Sequence, residues 1–327
     1  MYVMTGKLTF PAWQDTEGKP MVIRKFTAVH IDQTFKQITQ FAEITMPRNV
    51  KTFDKNNVRE IFRKGDPVII ELGYDGNDVE EFRGYIDRVS SDIPIVIRVE
   101  DEMYKARKIP VNYTAKNISL PNLLKKIAPG YEIDALDVKL GDVRYSKKLL
   151  GDVLEDIKSK LKLHTYFIGK KLVCGKYYTE KSGSNIPLFD LERNTVNNSL
   201  NYKNKEDVVV KIDAHSITAD GKKVTFSLGE VGGDHLKLQY YNVKVKAELE
   251  KKVRLDYERA TRGGFTGSFT AFGKPRVSFG EKCNLQSAVY PDRNGQYYVE
   301  GTVIDFNDQG FRREIKLGGS AKLEGNE

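Results

Sequence analysis

The sequence has little of what covalent or metal chemistry requires. It holds two cysteines, Cys174 and Cys283, and four dispersed histidines, His30, His164, His215 and His235. Neither cysteine belongs to a CxxC pair or a Cys/His cluster, which argues against a disulfide framework and a zinc site. Each thiol is expected to act as a small buried apolar group. No GxSxG elbow, Walker loop or GxGxxG follows a strand pattern. The Gly-rich run Gly263 to Ser268 follows a helical pattern instead of opening one, a poor cradle for phosphate. Asp75 to Asp78 lacks the acidic spacing and terminal Glu of a calcium loop and reads as a hairpin turn. The acid pairs Glu80-Glu81 and Asp101-Glu102 read as solvated strand ends. Nothing points to catalysis, and no cofactor or metal site is expected.

Long apolar runs are missing too. The longest, such as Ile93 to Ile97, fall far short of a membrane span, and Met1 to Phe10 lacks the basic and apolar regions of a signal peptide. The expectation is a soluble product of a cytoplasm without stable membrane insertion. The formal net charge of +8 over 327 residues is compatible with an acidic partner. The basic residues are scattered, however, and a Lys-rich solvated exterior accounts for them. The basic helix face from Lys244 to Arg254 is interleaved with acids and reads as a salt-bridge pattern.

What is abundant is β alternation. From Lys7 to Glu102 short runs alternate apolar and polar, as in Val68, Ile70 and Leu72 against Glu71, or Ile95, Ile97 and Val99 against Arg98. Turn residues separate them at Asp15 to Gly18, Gly65 to Pro67 and Asp75 to Asp78, and Asn56 to Arg63 fits a short helix. After Met103 the character changes. Ser119 and Pro121 open a helix with Leu123, Leu124 and Ile127 on one stripe, a second helix runs from Lys147 to Leu161, and His164 to Cys174 forms a hairpin. Lys181 to Asn185 reads as a connection. Strands resume at Val208 to Ile212, Ala214 to Thr218, Val224 to Leu228 and Leu236 to Tyr241, with a turn at Ala219 to Lys222. A helix follows from Val245 to Ala260, then strands to Leu317. The predicted class is α+β and β-rich: two small antiparallel β-barrels of similar topology with interspersed α/β modules. The boundaries are 1–103 for the first barrel, 104–185 for a helix-hairpin module, 186–230 with 265–319 for the second barrel, 231–264 for an α/β insertion, and 320–327 for a flexible tail.

The two barrels are expected because two distant stretches echo each other. Gly65-Asp66 precedes Val68 by the same offset at which Gly280-Glu281 precedes Cys283. A later strand carries Phe82, Gly84 and Ile86 in one copy and Val299, Gly301 and Val303 in the other. A glycine inside a strand marks a bend or a close backbone approach, as in curled sheets. Gly65, Asp66, Gly84, Gly280, Glu281 and Gly301 are therefore the candidate structural positions. The final strands of the two copies differ in register by one residue.

This order of parts resembles the baseplate hub proteins of tailed phages, the late-control D proteins and the hub portion of type VI secretion spike proteins. The residues carrying the likeness are Lys64 to Val68 with Phe82 to Asp87, Leu149 to Leu154 through Phe167 and Lys171 to Val173, and Gly295 to Glu300 through Gly310 to Ile315. The resemblance implies a homotrimer in the virion tail baseplate of a phage or related contractile injection device. Two barrels per subunit would let a three-fold ring meet a six-fold tail tube or distal tail protein. A separate spike protein would sit at the other end, and DNA would pass through the channel without sequence-specific binding. Alternatives of other classes are a tail-tip cell-wall hydrolase and a barrel-based nucleic-acid binding module.

Overall fold

The computed structural model describes residues 2–14, 19–47, 62–90, 93–161, 163–175, 186–218, 222–241, 243–261 and 263–320. The turn at Asp15 to Gly18, the helix from Asn56 as far as residue 61, the connection at Lys181 to Asn185, the turn at residues 219–221 and the tail beyond Ser320 lie outside these residues.

The chain opens with strands β1 (Met4–Gln14), β2 (Pro20–Ile23), β3 (Ala28–Thr34), β4 (Phe41–Thr45), β5 (Pro67–Tyr74), β6 (Asn77–Val89) and β7 (Val96–Glu100). A mixed segment follows: α1 (Met103–Ala106), β8 (Pro110–Ser119), α2 (Leu120–Ile127), β9 (Glu132–Ala135), β10 (Lys139–Leu149), α3 (Leu150–Leu161), β11 (Thr165–Ile168) and β12 (Lys171–Cys174). The last third holds β13 (Leu188–Asp190), β14 (Thr195–Lys203), β15 (Val210–Ile217), β16 (Lys223–Gly229), β17 (Asp234–Tyr241), α4 (Lys246–Ala260), β18 (Gly264–Phe272), β19 (Lys282–Gln286), β20 (Gly295–Asn307) and β21 (Gly310–Ser320).

Thirteen strands share one sheet, in the order β2-β1-β5-β6-β7-β4-β3-β20-β21-β18-β14, with β19 on β20 and β13 on β19. Neither half closes into a barrel among the described residues. The reason is visible in β3, whose second edge pairs with β20 instead of returning to its own half. The strands of the first half mostly alternate between a buried and a wetter face. Val68, Ile70 and Leu72 of β5 are buried beside Ile31, Ile44, Ile86 and Ile97, and this core also takes in Ile304, Phe306 and Phe311 from the second half. A second core gathers Phe189, Phe269, Cys283, Tyr297, Val299 and Ile315.

Between the halves, α2 and α3 bury Leu123, Leu124, Ile127, Val153, Leu154 and Ile157 together with Phe167 and Leu172 of the β11–β12 hairpin. Ser119 occupies the position before α2, though its hydroxyl makes no capping bond. This segment also contains the long antiparallel pair β8–β10 and the parallel pairing of β9 with β12. Strands β15 and β16, expected in the second barrel, instead form a separate three-stranded sheet with β17, with β15 in the centre, covered by Leu249 and Val253 of α4. Alternation marks a strand with one wet face but does not name its neighbour. The compact insertion thus spans Val210 to Ala260 and leaves the main sheet between Lys203 of β14 and Gly264 of β18, which are ladder partners.

Candidate functional site: a repeated strand unit and its junction

The candidate structural glycines lie in two turns of the same build. Gly65 and Gly280 both adopt positive φ, +93° and +81°, a conformation open to glycine without a Cβ penalty. Gly65 donates its N–H to the Ile86 carbonyl at 2.7 Å, and Ile86 donates back to the Asp66 carbonyl at 2.9 Å. In the second copy Gly280 donates to Val299 at 2.8 Å and Val299 donates back to Glu281 at 2.8 Å. Asp66 and Glu281 each donate to the residue three before them, Arg63 and Ser278. The Glu281 carboxylate also accepts from the Ser278 N–H at 2.8 Å.

These bonds equate Ile86 with Val299, not with Val303. The ladders agree: Pro67 faces Tyr85 and Val68 faces Gly84, as Lys282 faces Tyr298 and Cys283 faces Tyr297. Gly84 therefore matches Tyr297, and Gly301 matches Arg88. The two glycines differ in surroundings. A Cβ on Gly84 would overlap the Glu100 carbonyl oxygen, whereas one on Gly301 would lie 3.1 Å from Gln33 O and from Thr34 Cβ. With the corrected alignment the next strands fall into step. In one copy the pairs Ile86–Val99 and Arg88–Arg98 bracket a bulge; in the other Val299–Leu317 and Gly301–Lys316 bracket the same bulge, two residues against one. The equivalence continues outward. β4 lies on β7 through Ala42–Val99 as β18 lies on β21 through Gly267–Leu317, and β3 lies on β4 through Val29–Ile44 as β14 lies on β18 through Asn198–Phe269. Each half thus offers four matched strands, β6-β7-β4-β3 and β20-β21-β18-β14.

The halves meet where β3 pairs with β20, from Thr34 opposite Gly301 to Val29 opposite Phe306. His30 faces Asp305 across this ladder at 2.7 Å, and that hydrogen bond raises the imidazole pKa above its ordinary value. Beside the ladder Tyr74 stacks on Phe311 at 5.5 Å, and its hydroxyl lies between the Phe311 carbonyl and the Gly273 N–H. Deeper still, Glu81 of β6 meets Arg313 of β21 at 2.6 Å, with side chains only 2% and 1% exposed. Arg276 adds a contact to Glu81 at 3.3 Å, and Arg313 also donates to the carbonyls of Val277 and Gly273. Sequence reasoning placed Glu81 in solvent; its partner, 232 residues away, carries no local signal.

The second acid pair also departs from the solvated reading. Asp101 is buried, accepts from the Met103 N–H at 3.1 Å, and is pushed up to about 8 by burial. Glu102 accepts from the hydroxyls of Tyr85 and Tyr131, at 2.9 and 3.2 Å, tying the first half to the helix-hairpin segment. Burial, aided by that carboxylate, pushes both phenols to about 12. Burial likewise raises Cys174 to about 11 and Cys283 to about 12, so both thiols are inert small groups. Among the described residues no group of three or more His, Cys, Asp or Glu side chains is placed to hold a metal. Among them, too, no helix is long and apolar enough to cross a membrane.

Solved structures of this architecture exist. A tail protein from Neisseria meningitidis MC58 superposes with a TM-score of 0.65 at 14% identity, over 98% of this chain and 97% of that one. The chain has the fold of these tail proteins. A 43 kDa tail protein of prophage MuSo2 from Shewanella oneidensis gives 0.64 at 12% identity, over 96% and 98%. The E. coli c3393 protein, a type VI secretion component described as structurally similar to the T4 tail proteins gp27 and gp5, gives 0.56 at 10% identity, over 91% of this chain and 74% of that one. No protein-family model and no curated protein sequence matches the chain.

Proposed function

We propose that this protein is a structural hub in the baseplate of a phage tail or related contractile injection device. Three copies would form a ring that adapts a six-fold tail tube to a three-fold spike and encloses the passage for DNA. The observation that carries the reading is the doubled strand unit, whose Gly-acid turn bonds and strand order recur in both halves of one chain whose fold matches tail proteins. A three-fold assembly can meet a six-fold partner if every subunit offers two near-equivalent faces. Binding would come from strand edges and loops, and no catalytic step is assigned. The tube protein and a separate spike are the partners this reading names.

The mass of the purified full chain, measured across a range of concentrations and followed by imaging of the particles, tests the proposal. Three copies around a central hole is the expected result. A strictly monomeric species at high concentration, also in the presence of a tube or spike protein from the same source, would remove the ring from consideration.

A further inference from the structure

The insertion between Lys203 and Gly264 carries its helix on one side of its sheet only. Ile212 and Ala214 of β15 are buried with Leu249 and Val253 of α4, so the alternate residues Lys211, Asp213 and His215 point away from the helix. The ladders complete that outer face in rows of three: Gly229, Lys211 and His235; Ser227, Asp213 and Lys237; Thr225, His215 and Gln239. Lys223 stands at its far end, opposite Ile217. Lys223, Thr225, Ser227, His235 and Lys237 are exposed. Lysines that look scattered along the chain are thus gathered on one surface, and none of these three forms an ion pair among the described residues.

Two features say what this surface can hold. Every described side chain on it can donate a hydrogen bond, save that of Asp213. That carboxylate is already engaged within the face. It accepts from the Ser227 hydroxyl at 2.7 Å and lies 2.6 Å from His235 Nε2, contacts that hold its pKa below the ordinary value. The described side chains of the face also include no apolar or aromatic anchor. A protein partner is held mainly by such anchors, and a single nucleic-acid strand by bases stacked on aromatic rings. Phosphate oxygens need neither, and they accept from lysines, hydroxyls and amides. From Lys211 to Lys223 the face runs roughly 20 Å along the strands. A duplex carries one charge per about 1.7 Å of its axis, so phosphates meet each lysine in any register. We propose that the outer face of the β16-β15-β17 sheet is a sequence-independent docking surface for the phosphate backbone of duplex nucleic acid, with Lys211, Lys223 and Lys237 as its cations. The inference rests on the hub reading only for the source of the duplex, the DNA in transit; the contact itself needs one copy of the chain.

Fluorescence anisotropy of a labelled 24-base-pair duplex, titrated with the purified full chain, tests it. A weak Kd on the order of 10–100 µM is expected at 50 mM salt. Three neutralised phosphates set a slope of log K against log salt of about −2.7, which weakens binding about forty-fold by 200 mM. K211Q/K223Q/K237Q should take binding below detection with the melting temperature unchanged, and each single change should make the slope shallower by about 0.9. K246Q/K251Q/K252Q, which removes the same charge from exposed positions of α4, should leave affinity within about twofold. Asp213→Asn removes the one opposing charge, keeps an acceptor for Ser227, and should tighten binding several-fold. A duplex of shuffled sequence should bind equally. No saturable binding at 50 mM salt, equal weakening by the two triple variants, or no weakening by the first overturns the proposal. Poly-L-glutamate that displaces the duplex as well as unlabelled duplex does, at equal charge, would make the face a dock for an acidic protein and overturns it too. A three-copy ring without duplex binding removes this surface and leaves the hub standing. Duplex binding that depends on the three lysines in a chain that never forms a ring keeps the surface and removes the ring.

Discussion

Among the described residues Arg313 is the largest side chain that is buried almost completely, and its charge is answered by one carboxylate from the other half of the chain. A charge held in low dielectric is tolerable only while its partner and hydrogen bonds remain in place. Glu81→Gln should therefore cost about 3–5 kcal/mol of stability in urea denaturation. The double change Glu81→Met with Arg313→Met should cost markedly less, because it leaves no orphaned ion. Asp101 gives a different residue-level expectation. Its folded pKa of about 8 lies above the ordinary value of 3.8, so the folded state holds a proton that the unfolded chain gives up near pH 4. Its contribution to stability is thus fully present below pH 4 and is lost as pH rises toward 8, by about 1.4 kcal/mol for each pH unit crossed. Asp101→Asn keeps an acceptor for the Met103 N–H and removes the titration. The melting temperature of the parent protein should fall relative to that of this variant between pH 5 and pH 8. Parallel curves would contradict the assignment. Neither acid was legible as buried, since burial here depends on neighbours set by tertiary packing, and Glu80-Glu81 in isolation reads as a wet strand end.

At the scale of elements, what could be read from sequence and what could not divide along one line. Periodicity located the β5–β6 hairpin, α2, the β11–β12 hairpin and α4, because their apolar residues recur at spacings that the backbone itself imposes. The signal for β8 and β10 was present in Val111, Tyr113 and Ala115 and in Val143 and Tyr145, yet it runs through charged and turn-prone residues that dilute it. Partner choice was not readable, and so β15 and β16 were assigned to the wrong sheet. The echo was readable at its Gly-acid turns, where positive φ and paired backbone bonds constrain residue type. In β6 and β20 it was misaligned by four residues, because Gly84 and Gly301 answer different close approaches. The insertion supplies a test at this scale. Lys203 faces Gly264 where it leaves and rejoins the sheet, so replacing residues 204–263 with a two-residue Asn-Gly turn should convert β14 and β18 into a plain hairpin. The shortened chain is expected to melt cooperatively, with the strand content of the main sheet retained by circular dichroism. A collapsed or non-cooperative product would mean that the insertion is needed to fold the sheet.

For the whole molecule, the decisive property is continuity. The two halves share one sheet and, through Ile304, Phe306 and Phe311, part of one core, while the Glu81–Arg313 pair locks them further. Under the repeat, Glu81 corresponds to Asn294 and Arg313 to Ile95, so this ion pair has no counterpart in the repeat and belongs to the junction alone.

The six residue pairs from Thr34–Gly301 to Val29–Phe306 also have a mechanical consequence. Tension applied along the strands strains these cross-links side by side, so that they share the pull and must fail together. Tension applied across the strands would open them one after another, as a zipper parts. A body built this way is stiff in the first direction and yielding in the second.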